Sequence, residues 1–221
     1  MPFDESKLLI DRGMLVSPEA LEKSFAAGGE FKRFAFTDDG VSPRPLLGQK
    51  GGIYWCTGDE HDELGHISEN PENRLKMQTK RMRKLALAAR EIPESHQYKF
   101  YGDANADYTI VTWGSAKPPI LDALPVLAAK GIKANVLQVR LMCPFPAAAV
   151  GKILSKSKTI IDIEMNYEAQ LALLVRQETG INIPHKVLKW TGRPISETEI
   201  VAAVTEIAQK KSEKVVLRYG L

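Results

Sequence analysis

Short apolar runs alternate with helical patterns through the second half of the chain, from about residue 96 onward. Runs rich in β-branched and aromatic residues predict buried strands at 107–113, 133–141, 159–164 and 185–190, with one edge strand at 215–217. The intervening segments place apolar residues at helical spacing and predict helices at 119–129, 147–154, 167–179 and 197–210. This alternation predicts an α/β fold in which a mostly parallel sheet is flanked by helices on both faces.

Local signals mark the ends of these predicted helices. Ser115 is placed to cap the first helix, with Pro118 in its first turn, and Gly131 follows the end of that helix. Gly180 is placed to end the third helix. Ser196 and Glu199 have the spacing of a capping box and therefore predict the start of the last helix.

The first half of the chain has a different pattern, with turn signals spread through most of it. Glycine, proline and aspartate clusters predict loops, and a loop-rich segment of this length rarely folds alone. We therefore divide the chain into a connector, 1–95, and an α/β domain, 96–221. A basic helix is predicted at 71–90. One interpretation is a solvated helix whose apolar stripe packs on the domain. The other is an element that docks onto an acidic subunit or binds coenzyme A phosphates. Its basic residues are Arg74, Lys76, Lys80, Arg81, Arg83, Lys84 and Arg90.

Composition and charge exclude several classes of protein. The 221 residues are 44% hydrophobic and 26% charged, which is typical of a globular protein, and a net charge of +3 does not indicate nucleic-acid binding. Cys56 and Cys143 are too few for a disulfide scaffold or for the roughly four thiolates of an iron–sulfur cluster, and we expect Cys143 to be buried. No apolar run approaches the ~20 residues that cross a bilayer, and no signal-peptide pattern occurs. We expect a soluble, cytoplasmic protein that binds no membrane.

Several blocks of residues, taken together and in order, resemble one known family. In the second half they are Tyr101-Gly102-Asp103 with Trp113-Gly114-Ser115, Pro144-Phe145-Pro146, Glu164-Met165-Asn166 with Gln170-Leu171, and Gly192-Arg193-Pro194. Their order and spacing resemble the C-terminal domain of the α subunit of 2-oxoacid:ferredoxin oxidoreductases, a domain II that is similar to the C-terminal domain of transketolase. In the first half, Pro2-Phe3-Asp4, Thr57-Gly58, His61-Asp62-Glu63 and Pro71-Glu72-Asn73-Arg74 resemble the connector that follows the family's pyrimidine-binding domain.

The resemblance implies a function for the whole complex rather than for this chain alone. The family uses thiamine diphosphate, Mg²⁺, iron–sulfur clusters and coenzyme A to decarboxylate a 2-oxoacid oxidatively, and ferredoxin accepts the electrons. The 2-oxoacid would be 2-oxoglutarate, pyruvate or a branched-chain acid. Because this chain resembles the part that follows the pyrimidine-binding domain, we expect that domain, or a further α or γ chain, and the β subunit to be its partners in an oligomer. We expect the chain to bind no cofactor alone and assign it no catalytic residue.

The carboxyl ends of the predicted strands are the place where a ligand would bind in such a fold. Gly114 and Ser115 follow the first strand, and Glu164 and Asn166 end the third. These four residues are the candidates for cofactor contact, since free N–H groups at the helix starts near Ser115 and Tyr167 can hold an anion. The alternative interpretation is that these are ordinary strand-to-helix turns, which require glycine and caps in any case.

Two other functions remain open from the residues. A free-standing flavodoxin-like module would bind a small anion at the strand ends, although no glycine-rich phosphate motif follows the first strand. A metal hydrolase would use His66 and the run Asp59-Glu60-His61-Asp62-Glu63. Metal ligands must converge on one point, whereas these residues are neighbours on a predicted loop, so a solvated acidic turn is the preferred interpretation and we predict no metal site.

Overall fold

The computed structural model describes residues 4–218. The chain divides into two compact units, Met1–Ala88 and Ala89–Leu221. The first unit contains a short 3₁₀ turn, Glu5–Lys7, helix α1, Pro18–Ala26, and most of the basic helix α2, Pro71–Glu91. The helix predicted at 71–90 is therefore confirmed, whereas α1, which begins after the N-cap Ser17, was missed.

The second unit is built around a six-stranded sheet. Its elements in chain order are α3 (Glu94–Gln97), β1 (Tyr98–Tyr101), β2 (Tyr108–Thr112), α4 (Lys117–Ala129), β3 (Ala134–Val139), α5 (Ala147–Leu154), β4 (Thr159–Glu164), α6 (Gln170–Thr179), β5 (His185–Leu188), α7 (Glu197–Ala208) and β6 (Lys214–Val216). The strand order is β1-β3-β2-β4-β5-β6. Strand β1 is antiparallel to β3 and the other pairs are parallel. The predicted mostly parallel α/β fold is confirmed.

Helices cover both faces of this sheet and bury two separate cores. Alternate strand residues such as Ile110 and Ile161 pack against α4 and α7 on one face. Their neighbours Val111 and Leu137 pack against α5 and α6 on the other. Because successive strand side chains point to opposite faces, strands buried on both sides read as continuous apolar runs, which is why the sequence located them.

Three local predictions were wrong. Ser115 lies in a 3₁₀ turn, Gly114–Ala116, and caps nothing, because α4 begins at Lys117. Helix α6 begins at Gln170, three residues after its predicted start, because the side chain of Asn166 accepts the backbone N–H of Ala169 and Gln170. Cys143 was expected to be buried and is exposed. None of the described helices combines the length and apolar composition of a membrane span.

Candidate functional site

The candidate site residues lie at the carboxyl ends of β2 and β4, which are neighbouring parallel strands. The structure brings Glu164 and Asn166 together with Trp113, which directly follows β2. Gly114 follows with a φ of +61°, a conformation that favours glycine. The hydroxyl of Ser115 lies 3.9 Å from the sulfur of Met165. The grouping of the four candidates at one sheet edge is therefore observed.

The carboxylate of Glu164 is the centre of this arrangement. The residue is 1% exposed, and its Oε2 accepts hydrogen bonds from Trp113 Nε1 and Asn166 Nδ2, each at 2.7 Å. Its Oε1 accepts the backbone N–H of Leu171 at 2.8 Å and of Ala172 at 3.3 Å, both in the first turn of α6. A buried carboxylate with four donors is fully satisfied.

This geometry explains what the helix start can bind. The first N–H groups of a helix favour an anion, and in α6 the protein supplies that anion from its own strand. Glu164 is therefore a positioning residue that fixes Trp113, Asn166 and the start of α6. A small anion at the N-terminus of α6 would have to displace it.

Strand β4 carries a second buried carboxyl, Asp162, which sequence reasoning missed. It is fully buried, and neither of its oxygens has a hydrogen-bond partner among the described residues. Burial, followed by the negative charge of Glu164, raises the pKa of Asp162 well above its usual value. The signal in the sequence is an acidic residue within an otherwise apolar run, Thr159-Ile160-Ile161-Asp162-Ile163.

Large aromatic and apolar side chains surround Glu164 on the surface. We define the aromatic edge as Trp113, Met165, Tyr167 and Trp190, which follow β2, β4 and β5 and are 38–64% exposed. Tyr167 and Trp190 pack edge to face with ring centroids 4.8 Å apart. Hydrophobic residues clustered on a surface are typical of an interaction site.

The acidic cluster of the first unit is held in internal contacts. Glu60 forms ion pairs with Arg81 at 2.7 Å and Arg74 at 3.1 Å, and its hydrogen bonds with Arg81 lower its pKa to about 2. Asp62 accepts the backbone N–H groups of Leu64 and His66. Within residues 4–218, no group of three or more His, Cys, Asp or Glu side chains is arranged to hold a metal ion. The metal hydrolase hypothesis therefore gains no support from the geometry.

The basic helix α2 also uses its charges within the first unit. Besides the pairs with Glu60, Lys80 donates to the Phe34 carbonyl at 2.9 Å, and Arg83 donates to the Asp38 carbonyl at 3.2 Å. Partial burial lowers the pKa of Lys80. These contacts favour the structural interpretation of the helix over docking onto an acidic partner.

Comparison with known proteins agrees with the fold. The model of pyruvate:ferredoxin oxidoreductase core domain II matches residues 106–200. The chain is 43% identical to a 2-oxoacid:ferredoxin oxidoreductase α subunit of Aeropyrum pernix, covering 100% of this chain and 34% of that subunit. It is 44% identical to the corresponding subunit of Saccharolobus solfataricus, covering 86% and 30%. The chain thus spans about a third of the length of these relatives.

A solved structure gives the same assignment. The 2-oxoglutarate:ferredoxin oxidoreductase of Magnetococcus marinus, with 2-oxoglutarate, coenzyme A and succinyl-CoA bound, is 28% identical with a TM-score of 0.68, over 93% of this chain and 34% of that one. Fold and sequence together define a core domain II of the pyruvate:ferredoxin oxidoreductase type. The chain belongs to the 2-oxoacid:ferredoxin oxidoreductase α-subunit family.

Proposed function

We propose that this chain forms the C-terminal portion of the α subunit of a 2-oxoacid:ferredoxin oxidoreductase. The complete complex would decarboxylate a 2-oxoacid oxidatively to an acyl-coenzyme A and transfer the electrons to ferredoxin. In this proposal 1–95 is the connector, 96–221 is the transketolase C-terminal-like α/β domain, and catalysis needs the partner chains. The family relationship over the whole chain supports the assignment.

The donor groups of this chain do not fit an iron–sulfur cluster or magnesium diphosphate. An iron–sulfur cluster needs about four thiolates, and the chain has two cysteines. Magnesium with a diphosphate needs carboxylate oxygens, and the candidate carboxylate Glu164 is already occupied by four N–H donors. We therefore assign thiamine diphosphate, Mg²⁺ and the clusters to the partner chains, and Gly114, Ser115, Glu164 and Asn166 to support of the interface.

The observation that supports this role is that hydrogen bonds to Glu164 hold the residues beneath the aromatic edge in place. Glu164 holds Trp113 by a 2.7 Å hydrogen bond and fixes the helix that follows Tyr167. Side chains held in one conformation lose little entropy on binding, and exposed Trp and Tyr are preferred anchors of interfaces. The aromatic edge is therefore suited to bind the rest of the oxidoreductase.

Reconstitution tests the proposal. The chain would be combined with the remaining portion of the α subunit and the β subunit, and reduction of ferredoxin would be measured with 2-oxoacid and coenzyme A. We expect turnover only when all parts are present. The double variant Tyr167→Ser/Trp190→Ser should prevent assembly, whereas Val126→Ser, at an exposed apolar residue of α4, should not.

Two results would contradict the proposal. One is full activity of the partner chains when this chain is omitted. The other is stoichiometric binding of thiamine diphosphate to this chain alone, measured by calorimetry, because that would give the chain a cofactor site of its own.

A further inference from the structure

The sheet of the second unit has an open edge at β6. This strand pairs in parallel with β5 and is last in the strand order, so only one of its two sides has a neighbouring strand. Two hydrogen bonds extend the pairing beyond the strand itself, from the Lys186 N–H to the Glu213 carbonyl and from the Leu217 N–H to the Leu188 carbonyl, both at 2.9 Å. The paired segment therefore runs from 213 to 217.

The backbone of β6 also has hydrogen-bonding groups on the side away from β5. Successive residues of a paired strand direct their backbone groups to opposite sides, and those of Glu213 and Leu217 point toward β5, so those of Lys214 and Val216 point outward. Within the part of the chain that the structure describes, the Lys214 N–H and both groups of Val216 have no hydrogen-bond partner, whereas the Lys214 carbonyl accepts the Ser212 hydroxyl at 2.8 Å. Such an edge is a template for one more strand.

Positive charge is concentrated along this edge. Lys186, the register partner of Lys214 on β5, places a second ammonium on the same face of the sheet. Neither lysine forms an ion pair with another described residue. The segment 209–218 has Glu213 as its one acidic residue and four exposed basic residues, Lys210, Lys211, Lys214 and Arg218.

These charges disfavour a second copy of the chain and favour an acidic partner. If two β6 edges paired antiparallel about Val216, Lys214 of each copy would lie opposite Arg218 of the other, and like charges in that position are destabilising. A segment with carboxylates at alternate positions would instead place opposite charges there. Its intervening side chains would lie on the other face of the sheet, beside Val215, which packs against the apolar core under α7.

We propose that the β6 edge binds an extended acidic segment of a partner chain as an additional strand. The backbone of the segment pairs with Lys214 and Val216, and its carboxylates lie beside Lys214 and Arg218. The site is continuous with the aromatic edge, because Lys214 Nζ lies 5.8 Å from the centre of the Tyr167 ring. Assigning the segment to the rest of the oxidoreductase rests on the proposed function, whereas the chemistry of the segment rests on the edge alone.

Fluorescence anisotropy of labelled peptides, titrated with the full 221-residue chain, tests the site. The probe is an octapeptide of alternating glutamate and valine. We expect it to bind at least about tenfold more tightly than an alternating lysine–valine peptide, which can pair but has the wrong charge. It should exceed an alternating glutamate–proline peptide by the same factor, because that peptide keeps the charge but cannot pair as a strand.

Variants of the chain separate backbone pairing from charge. Val216→Pro removes an outward N–H without breaking a hydrogen bond to β5 and should weaken the glutamate–valine peptide about tenfold, whereas the control Val216→Thr keeps that N–H and should not. The double variant Lys214→Glu/Arg218→Glu should weaken it similarly and improve binding of the lysine–valine peptide. Its matched control Lys152→Glu/Lys156→Glu reverses two exposed lysines at α5 and should change neither affinity.

Amide hydrogen exchange locates the bound peptide. Exchange should slow in 213–218 and stay unchanged in β1, the edge strand on the opposite side of the sheet. The proposal is overturned if the glutamate–valine peptide shows no saturable binding up to about 1 mM, if the edge variants and their controls bind it equally, or if protection appears elsewhere. Peptide binding is measured without turnover, so its failure is distinguishable from a failure of reconstitution.

Discussion

At the scale of single residues, strand β4 places two carboxyls on one face with opposite consequences. Glu164 receives four hydrogen bonds, whereas Asp162, two residues earlier, receives none from the described residues. A buried polar group is stabilising only when it is paired, so the same chemistry is favourable at one position and costly at the other. Substitution by the neutral amide should therefore have opposite effects at the two sites.

Glu164→Gln should destabilise the second unit by about 2–4 kcal/mol, because the amide nitrogen that replaces one oxygen loses two of the four hydrogen bonds, either those from Trp113 and Asn166 or those from the first turn of α6, and faces their donors. Urea unfolding followed by tryptophan fluorescence measures the loss. Glu168→Gln, at an exposed residue nearby, is the matched control and should stay within about 0.5 kcal/mol of the parent. Equal midpoints for the two variants would show that the hydrogen bonds lost at Glu164 contribute nothing to stability.

Asp162→Asn should stabilise the protein at neutral pH and remove part of its pH dependence. The pKa of Asp162 is raised on folding, so the folded state retains a proton that the unfolded chain has released. Stability is therefore greatest below the unfolded pKa of about 3.9 and falls as the pH rises toward the folded value, by at most about 1.4 kcal/mol per pH unit. Melting temperatures of parent and variant between pH 4 and 8 should diverge as the pH increases, and parallel curves would contradict this account.

The sequence predicted part of this chemistry and missed part of it. Glu164 could be selected because it ends a strand, but its four donors come from residues two to 51 positions away, so its role depended on the tertiary fold. Asn135 and Asp162 carry a simpler signal in the sequence, because each is a polar residue within a run of apolar residues that forms a buried strand. A polar residue of that kind is a reason to expect an unusual local environment.

At the scale of elements, the N-terminus of α7 shows how one side chain can serve two partners. The capping box predicted from Ser196 and Glu199 is present, with the Glu199 carboxylate accepting the Ser196 N–H at 2.9 Å. The same carboxylate pairs at 2.7 Å with Lys189, whose side chain is fully buried. The capping residue is therefore also the counter-ion of a buried ammonium.

Replacing the two capping residues should separate these contributions. Ser196→Ala removes one cap and should cost about 1 kcal/mol. Glu199→Gln also leaves Lys189 buried without its counter-ion and should cost about 3–5 kcal/mol. Thermal unfolding of both variants checks the difference, and Glu197→Gln in the first turn provides a control. A loss at Glu199 no larger than that at Ser196 would mean that the ion pair is energetically neutral.

Element prediction succeeded where the pattern was long and failed where it was short. Helix α5 and strand β4 have the predicted bounds, because β-branched runs and helical spacing there agree with burial. Strand β1 has four residues and pairs antiparallel with β3, so no long apolar run revealed it. The predicted domain boundary between residues 95 and 96 stays a prediction. In the structure, the boundary between the two compact units falls between residues 88 and 89.

At the scale of the whole molecule, the two units differ in how much apolar surface they expose. Fifteen of the 21 large hydrophobic side chains that are exposed within residues 4–218 belong to the first unit. Among them Leu9, Leu47 and Ile53 are more than 90% exposed. Such residues have no packing role in the unit itself, which agrees with the proposal that the connector contacts other parts of the oxidoreductase.

The exposed residues of the first unit lead to a prediction about assembly. Without partner chains, the protein should form dimers or larger species, because exposed apolar surface is buried by association. The triple variant Leu9→Lys/Leu47→Lys/Ile53→Lys should shift the mass measured by light scattering toward the monomer. The control Ala26→Lys/Gln78→Lys/Ala89→Lys adds the same charge at other exposed positions and should leave the mass unchanged.

Comparing the two triple variants separates burial of apolar surface from charge repulsion. If both become monomeric, net charge controls association; if only the first does, the apolar residues form the contact. A parent chain that remains monomeric at high concentration would contradict the prediction. The apolar variant should also assemble poorly with the partner chains, since in the proposed complex the same residues lie at subunit contacts, and this links self-association of the isolated chain to its place in the oxidoreductase.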